Sequence, residues 1–248
     1  MLSFIFNRTP NDKDLLRAIR KSHLSGNFAA QALALLDKGA NANAANEENN
    51  WTALHSAAGG QHRTIVERLI EKGADVNAVS KDGTTTPLCA AVQCAETGRD
   101  PVELVKYLLS KGADPNKGSD PALVTAALFG HFESFKVLLN AGADPKATDE
   151  KGYSALHYIA REDDLTLVQM LLDKGADFGA KNSKGQTPAD YIGWLDDDAK
   201  AAFLRKWQGE HDEEKRLNML EELVARAVTL ENNMTVSKPL RLRGAAPM

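Results

Sequence analysis

The chain has 248 residues, 43% of them hydrophobic, which is room for one large domain or two small ones and needs no covalent staples. Against 30 Lys plus Arg stand 34 Asp plus Glu, and the net charge of -4 argues against a surface built to neutralise phosphates, so nucleic acid is not the expected partner. Two cysteines, Cys89 and Cys94, exclude a disulfide framework, no Cys/His spacing suits zinc, and no apolar run reaches membrane-spanning length.

Residues 1–13 form a short extension whose greasy start lacks the basic region and small-residue cleavage site of a leader, and an intracellular, cytoplasmic protein that makes no membrane contact is expected. A repeating unit then begins. A Gly-Ala pair closes a Leu-rich stretch at Gly39-Ala40, Gly73-Ala74, Gly112-Ala113, Gly142-Ala143 and Gly175-Ala176, with the glycines 34, 39, 30 and 33 residues apart. Upstream, a second signature recurs as Trp51-Thr52-Ala53-Leu54-His55, Thr85-Thr86-Pro87-Leu88-Cys89, Tyr153-Ser154-Ala155-Leu156-His157 and Gln186-Thr187-Pro188-Ala189-Asp190. Thr52, Thr86, Ser154 and Thr187 suit the cap of a first helix, with Pro87 and Pro188 in its first turn, where a missing N–H costs nothing. Small residues such as Ala57-Ala58 and Ala90-Ala91 allow close helix approach, and Leu69-Ile70, Leu108-Leu109, Leu138-Leu139 and Leu171-Leu172 supply the apolar stripe of a second helix.

Period and signature together resemble ankyrin repeats over about residues 14 to 207, the best match being Lys184-Gly185-Gln186-Thr187-Pro188 joined to the preceding Leu171-Leu172-Asp173-Lys174-Gly175-Ala176-Asp177. The resemblance implies an all-α repeat solenoid with short β-hairpin-like loops, an ankyrin-like stack of about six helix-turn-helix units. Their bounds are 14–46, 47–79, 80–117, 118–148, 149–181 and 182–208, within a repeat domain of 14–208. The first and last units read as caps. Arg17, Arg20 and Lys21 give the first a polar outer side, and the last places Asp196-Asp197-Asp198 ahead of Phe203, Leu204 and Trp207.

Two inner units depart from the pattern. The third carries extra residues, Val92 to Pro101, between its helices, and the fourth passes from Asn116-Lys117-Gly118-Ser119-Asp120-Pro121 almost directly into its first helix, without the usual loop glycine or Thr-Pro start. A long unit beside a short one predicts a local notch or a change of twist in the concave surface that would serve recognition, although neutral drift in length accounts for both somewhat better. Beyond the array, Leu217, Leu220 and Val224 recur at helical spacing, so 209–230 reads as an amphipathic C-terminal helix that either caps the last unit or meets another chain. Residues 231–248 read as a flexible tail. Within it Leu240-Arg241-Leu242-Arg243-Gly244 is similar to the end of ubiquitin, but Ala245-Ala246-Pro247-Met248 follow and no ubiquitin-like domain precedes, which is what chance produces over five residues.

The ankyrin geometry places candidate protein-binding residues on loop tips and first helices: Asn50, Trp51, Lys81, Asp82, Gln93, Glu96, Lys117, Phe129, Glu150, Lys151, Tyr153, Tyr158, Arg161, Lys184 and Trp194. Trp51 and Tyr153 lead, because aromatic residues anchor interfaces, while packing across the next loop would explain them as well. Phe129 and Trp194 fit a core better than a contact. His55 and His157, at equivalent positions, read as hydrogen-bonding bridges between units, and Cys89 with Cys94 as buried thiols. No phosphate-cradling loop, metal set or catalytic constellation emerges, so no cofactor, no metal and no enzyme activity are expected. The function expected is binding of a protein partner through the concave face and loop tips, as adaptor, inhibitor or masking protein and as a monomer. An alternative is a regulatory or dimerising protein whose C-terminal helix and tail make the main contact. A remote one is a hydrolase near the third-unit insertion.

Overall fold

Helices this short hold only when their starts are capped and their apolar stripes are covered by neighbours, and both conditions are met along this chain. The structure is a computed structural model that describes residues 12–22, 24–93, 100–162 and 164–191. Ten helices come in consecutive pairs: α1 (Asp12–Lys21) with α2 (Gly26–Asp37), α3 (Ala53–Gly59) with α4 (Arg63–Glu71), α5 (Pro87–Val92) with α6 (Val102–Ser110), α7 (Ala122–Leu128) with α8 (Phe132–Asn140), and α9 (Ala155–Ile159) with α10 (Leu165–Asp173). A single 3₁₀ turn, Pro188–Tyr191, follows. The described residues thus form a helix-pair solenoid of five units and the first turn of a sixth. The remainder of the expected sixth unit, the 209–230 helix and the 231–248 tail lie outside them, as do His23, Cys94, Glu96 and Trp194.

First helices pack on first helices, α3 against α1 and α5, and α7 against α5 and α9, while α2 meets α4 and α6 meets α8 in the second layer. Ala53, Ala57, Ala58, Ala91 and Ala126 are fully buried where the first helices approach one another, and Leu69, Leu108, Leu138 and Phe135 fill the space beneath them. Thr52 and Thr86 accept the backbone N–H three residues on, the capping expected of them, but Pro121 starts α7 with no side-chain cap.

The β-hairpin-like loops are a correction. No strand forms among the described residues; lone antiparallel bridges, Ala45 with Thr52 and Thr148 with Ser154, close two of the loops. The cause is local. Asn46 accepts the N–H of Glu48, Asp82 that of Thr84, Asp149 that of Lys151 and Asn182 that of Lys184, and these side-chain turns bend the chain too tightly for a ladder to extend.

Loop bases are tied to one another by asparagine. Asn43 Nδ2 donates to Gly73 O at 3.0 Å while its Oδ1 accepts from Asp75 N at 2.8 Å. Asn77 makes the same pair with Gly112 and Asp114, and Asn116 with Gly142 and Asp144. At the next junction Lys146 occupies the asparagine position, and the ladder stops.

The two irregular units become intelligible. α5 is described to Val92 and α6 from Val102, and residues 94–99, most of the extra residues of the third unit, lie outside the described set. At their far end Asp100 accepts N–H bonds from Glu133 (2.8 Å) and Ser134 (3.1 Å) and the hydroxyl of the buried Ser134, fixing that end to the start of α8. In the short fourth unit the loop glycine is not lost: Gly118 takes φ +86°, and a Cβ there would meet Thr84 O at 2.3 Å. Ser119 N and Asp120 N donate to Gly83 O and Thr84 O, so the shortened loop leans on its predecessor.

Candidate functional site

The first-helix face and the loop tips beside it carry every candidate residue within the described set, but the structure divides them. Lys81, Asp82, Lys117, Glu150, Lys151, Arg161 and Lys184 are exposed, and Gln93 is half-buried. Asp82 has its carboxylate held below the usual range by the hydroxyl of Ser80 at 2.5 Å and by Thr84, so it shapes its own loop. Asn50 is not a free tip residue, because its Nδ2 donates to Val79 O of the next loop at 3.0 Å.

The aromatic candidates fall into three places. Tyr153, Tyr158 and Tyr191 form one cluster: the Tyr153 ring lies 5.5 Å from that of Tyr158 and 6.0 Å from that of Tyr191. The Tyr158 hydroxyl donates to Asp149 Oδ2 at 2.7 Å, and burial followed by that bond raises its pKa. The Tyr191 hydroxyl contacts Tyr153 Oη at 3.2 Å and Gln186 Oε1 at 2.7 Å. Of these bonds the contact between Tyr191 and Tyr153 joins the fifth unit to the sixth, and the others tie each tyrosine to its own unit. Phe129 is elsewhere and corrects the core expectation. It follows α7 and stays 42% exposed beside Leu128 at 52%, its ring stacked 6.1 Å from His131.

Trp51 occupies the third place. Its indole lies 4.9 Å from the His55 ring, tilted by 38°, and forms one wall of a groove of about 460 Å³. Ile19 and Arg20 of α1 make the opposite side, Asn46 and Asn49 line the loop end, and Gly59 and Gly60 at the end of α3 line the rest with Ser56 and His62. Neither Asn46, Asn49 nor Arg20 was singled out as a contact residue by sequence, because each reads as an ordinary loop or cap position.

The two aligned histidines are the bridges expected. His55 Nδ1 accepts from Thr52 N–H, while Nε2 stands 3.1 Å from Thr85 O one unit on; a carbonyl only accepts, so Nε2 carries the hydrogen. His157 repeats this with Ser154 N–H and Gln186 O at 3.2 Å. Burial lowers both pKa values. Cys89 takes the histidine position of its unit and is buried, its thiol pushed up to about 12 by desolvation and 3.8 Å from Thr125 Oγ1. Among the described residues no three His, Cys, Asp or Glu side chains gather as a metal set would, and no helix is long and apolar enough to cross a membrane.

A stack of capped helix pairs with Gly-Ala endings defines a repeat module, and the comparison with known families agrees: the profile described as "Ankyrin repeats (3 copies)" matches residues 15–119 and 123–192. The chain belongs to the ankyrin-repeat family. Among curated proteins it is similar to the E3 ubiquitin-protein ligase hecd-1 of Caenorhabditis elegans, 42% identical over 64 residues. That stretch is 25% of this chain and only 2% of the relative, so the likeness is confined to a short part of each.

Proposed function

We propose that the protein acts inside the cell as a monomer by binding a protein partner on the face shared by its first helices and loop tips, masking, recruiting or inhibiting it without catalysis or cofactor. Ankyrin-repeat modules generally mediate protein contacts, which supports the class of function. The observation that carries the choice of face is the pair Leu128 and Phe129. Two large apolar side chains stand 52% and 42% exposed at the end of a first helix, where stacking of the units makes no use of them. Most ionic contacts among the described residues lie elsewhere: Arg63 with Glu67, Arg68 with Asp37 and Glu71, Lys106 with Glu103 and Lys136 with Glu133 sit on second helices, and only Lys13 with Glu47 joins a first helix to a loop.

The test is capture from cell extract by the full chain immobilised through a terminal tag, read by quantitative mass spectrometry. A partner of the proposed kind is retained by the unaltered chain and by Lys106→Ala on the second layer, and is lost when Leu128 and Phe129 are both changed to Ser. If it is retained by that double variant but lost from Leu217→Asp, the contact belongs to the C-terminal helix, as in the alternative reading. A hydrolase around Cys94 and Glu96 involves residues outside the described set and gains no support from those within it.

A further inference from the structure

Two glycines, Gly59 and Gly60, line the groove beside Trp51. α3 and α7 are both seven residues long and begin at equivalent positions, so Gly59 and Gly60 correspond to Leu128 and Phe129. Where the fourth unit raises two apolar side chains, the second raises none, and the space between α1 and α3 stays open to about 460 Å³, within the range of cavities that hold small ligands or single anchoring side chains. Gly60 is not a neutral choice: a Cβ at that position would lie 2.7 Å from the His62 ring.

The chemistry of the groove is one-sided. Four more acidic than basic residues are present in the chain, yet no carboxylate lines this space. Arg20 does, it is exposed, and it makes no ion pair among the described residues. Asn46 Oδ1 accepts from Glu48 N–H at 2.9 Å and Asn49 Oδ1 from Trp51 N–H at 3.1 Å, and no bond to another group among the described residues is made by either Nδ2, so both side chains have amide N–H groups to offer. The fifth unit has Asp149 in the same turn position as Asn46; here the charge is absent. Of the nearby acids, Glu47 faces Lys13 at 3.8 Å, and neither it nor Glu48 lines the groove. An exposed guanidinium and amide N–H groups, with no carboxylate among the lining residues, therefore stand beside a half-buried indole whose other side already rests on His55.

We infer that this groove is an anchor site for an acidic, aromatic-bearing segment of a protein partner, the aromatic ring stacking on Trp51 over the Gly59-Gly60 floor and a flanking carboxylate pairing with Arg20. The inference rests on the protein-binding reading and names the chemistry of one contact within it. A guanidinium takes a carboxylate through two parallel N–H bonds, and ring stacking on an indole adds direction to apolar burial.

The probes are three blocked tripeptides, acetyl-Glu-Phe-Glu-amide, its Gln-Phe-Gln analogue and its Glu-Ala-Glu analogue, titrated into the ¹⁵N-labelled full chain. The expected result is saturable shifts of the Trp51 indole N–H and of the Gly59 and Gly60 amides with Glu-Phe-Glu, at an affinity about tenfold above either analogue. Arg20→Gln, a change at an exposed position, lowers that affinity about tenfold and leaves the rest of the spectrum in place. Equal shifts with Gln-Phe-Gln, or an Arg20→Gln variant that binds as well, overturn the charge assignment and with it the inference. Groove resonances unmoved at about 5 mM peptide overturn the site itself, whether it is empty or already covered by another part of the chain. Shifts confined to the Tyr153 cluster or to Leu128 and Phe129 also overturn it, while the protein-binding reading survives, since that reading stands or falls by capture with the Leu128 and Phe129 variant.

Discussion

Replacing Lys146 by Asn should extend the asparagine ladder by one rung and stabilise the array. Asp114-Pro115-Asn116 and Asp144-Pro145-Lys146 occupy the same bend in successive units, and only the third residue differs in its ability to bridge. At the three junctions that have asparagine, both bonds lie between 2.7 and 3.0 Å. Each is worth about 0.5–1.5 kcal/mol net, and because these loop bases are largely solvated the lower half applies, so the pair should contribute about 1–2 kcal/mol. At a urea dependence of about 2 kcal/mol per molar, that moves the unfolding midpoint up by roughly 0.5–1 M. Circular dichroism reads the midpoint, and amide exchange at Asp177, whose N–H becomes a donor to the new carboxamide, should slow by about fivefold or more. Lys146→Gln is the control that removes the charge without the reach, and Asn116→Lys should lose what Lys146→Asn gains. An unchanged midpoint together with unchanged Asp177 exchange in Lys146→Asn would refute the view that these bonds carry energy between units.

Gly118→Ala should cost more than Gly142→Ala although both glycines have φ near +87°: the backbone strain of about 1–2 kcal/mol is common to both, but only at Gly118 does the added Cβ meet a backbone oxygen, at 2.3 Å, adding roughly 1–3 kcal/mol measurable by urea titration. Stability should fall as pH drops through about 6.5, the ordinary histidine value, because His55 and His157 have lowered pKa values when folded and the unfolded chain takes up protons first. Their contribution is complete above that pH and lost progressively below it; a double His55→Gln, His157→Gln variant should show a flatter midpoint between pH 7.5 and 5. Cys89 should resist iodoacetamide at pH 8 in the folded protein and react on addition of urea, as peptide mass mapping would show, since its thiolate is suppressed by burial.

The fold was legible because repetition amplifies weak signals. One Thr-Pro or Gly-Ala is ordinary, but each recurring in step assigned the caps, the two helix layers and the bridging role of the histidines, whose partners are Thr85 and Gln186. The loops were misjudged because polar turn residues are compatible with either a hairpin or a side-chain turn, and the choice depends on where Asn46, Asp82 and Asp149 direct their oxygens. The ladder was hidden for a related reason. Asn43, Asn77 and Asn116 look like loop polarity until the partner carbonyls some 30 residues on are in place. Site residues were the least legible, since Phe129 and Trp51 differ in exposure through what the adjacent unit leaves uncovered, a property of packing and not of either residue alone.

The same structural position therefore yields opposite surfaces in the second and fourth units: a groove at Gly59-Gly60 and a protrusion at Leu128-Phe129. With first helices stacked about 8–10 Å apart, two units separate the features by roughly 16–20 Å, which an extended partner segment spans in about five or six residues at 3.3 Å each. One short segment of a partner could place an anchor in the groove and lay an apolar side chain against Phe129, while crossing the third unit at the end of α5, just where extra residues enter the chain.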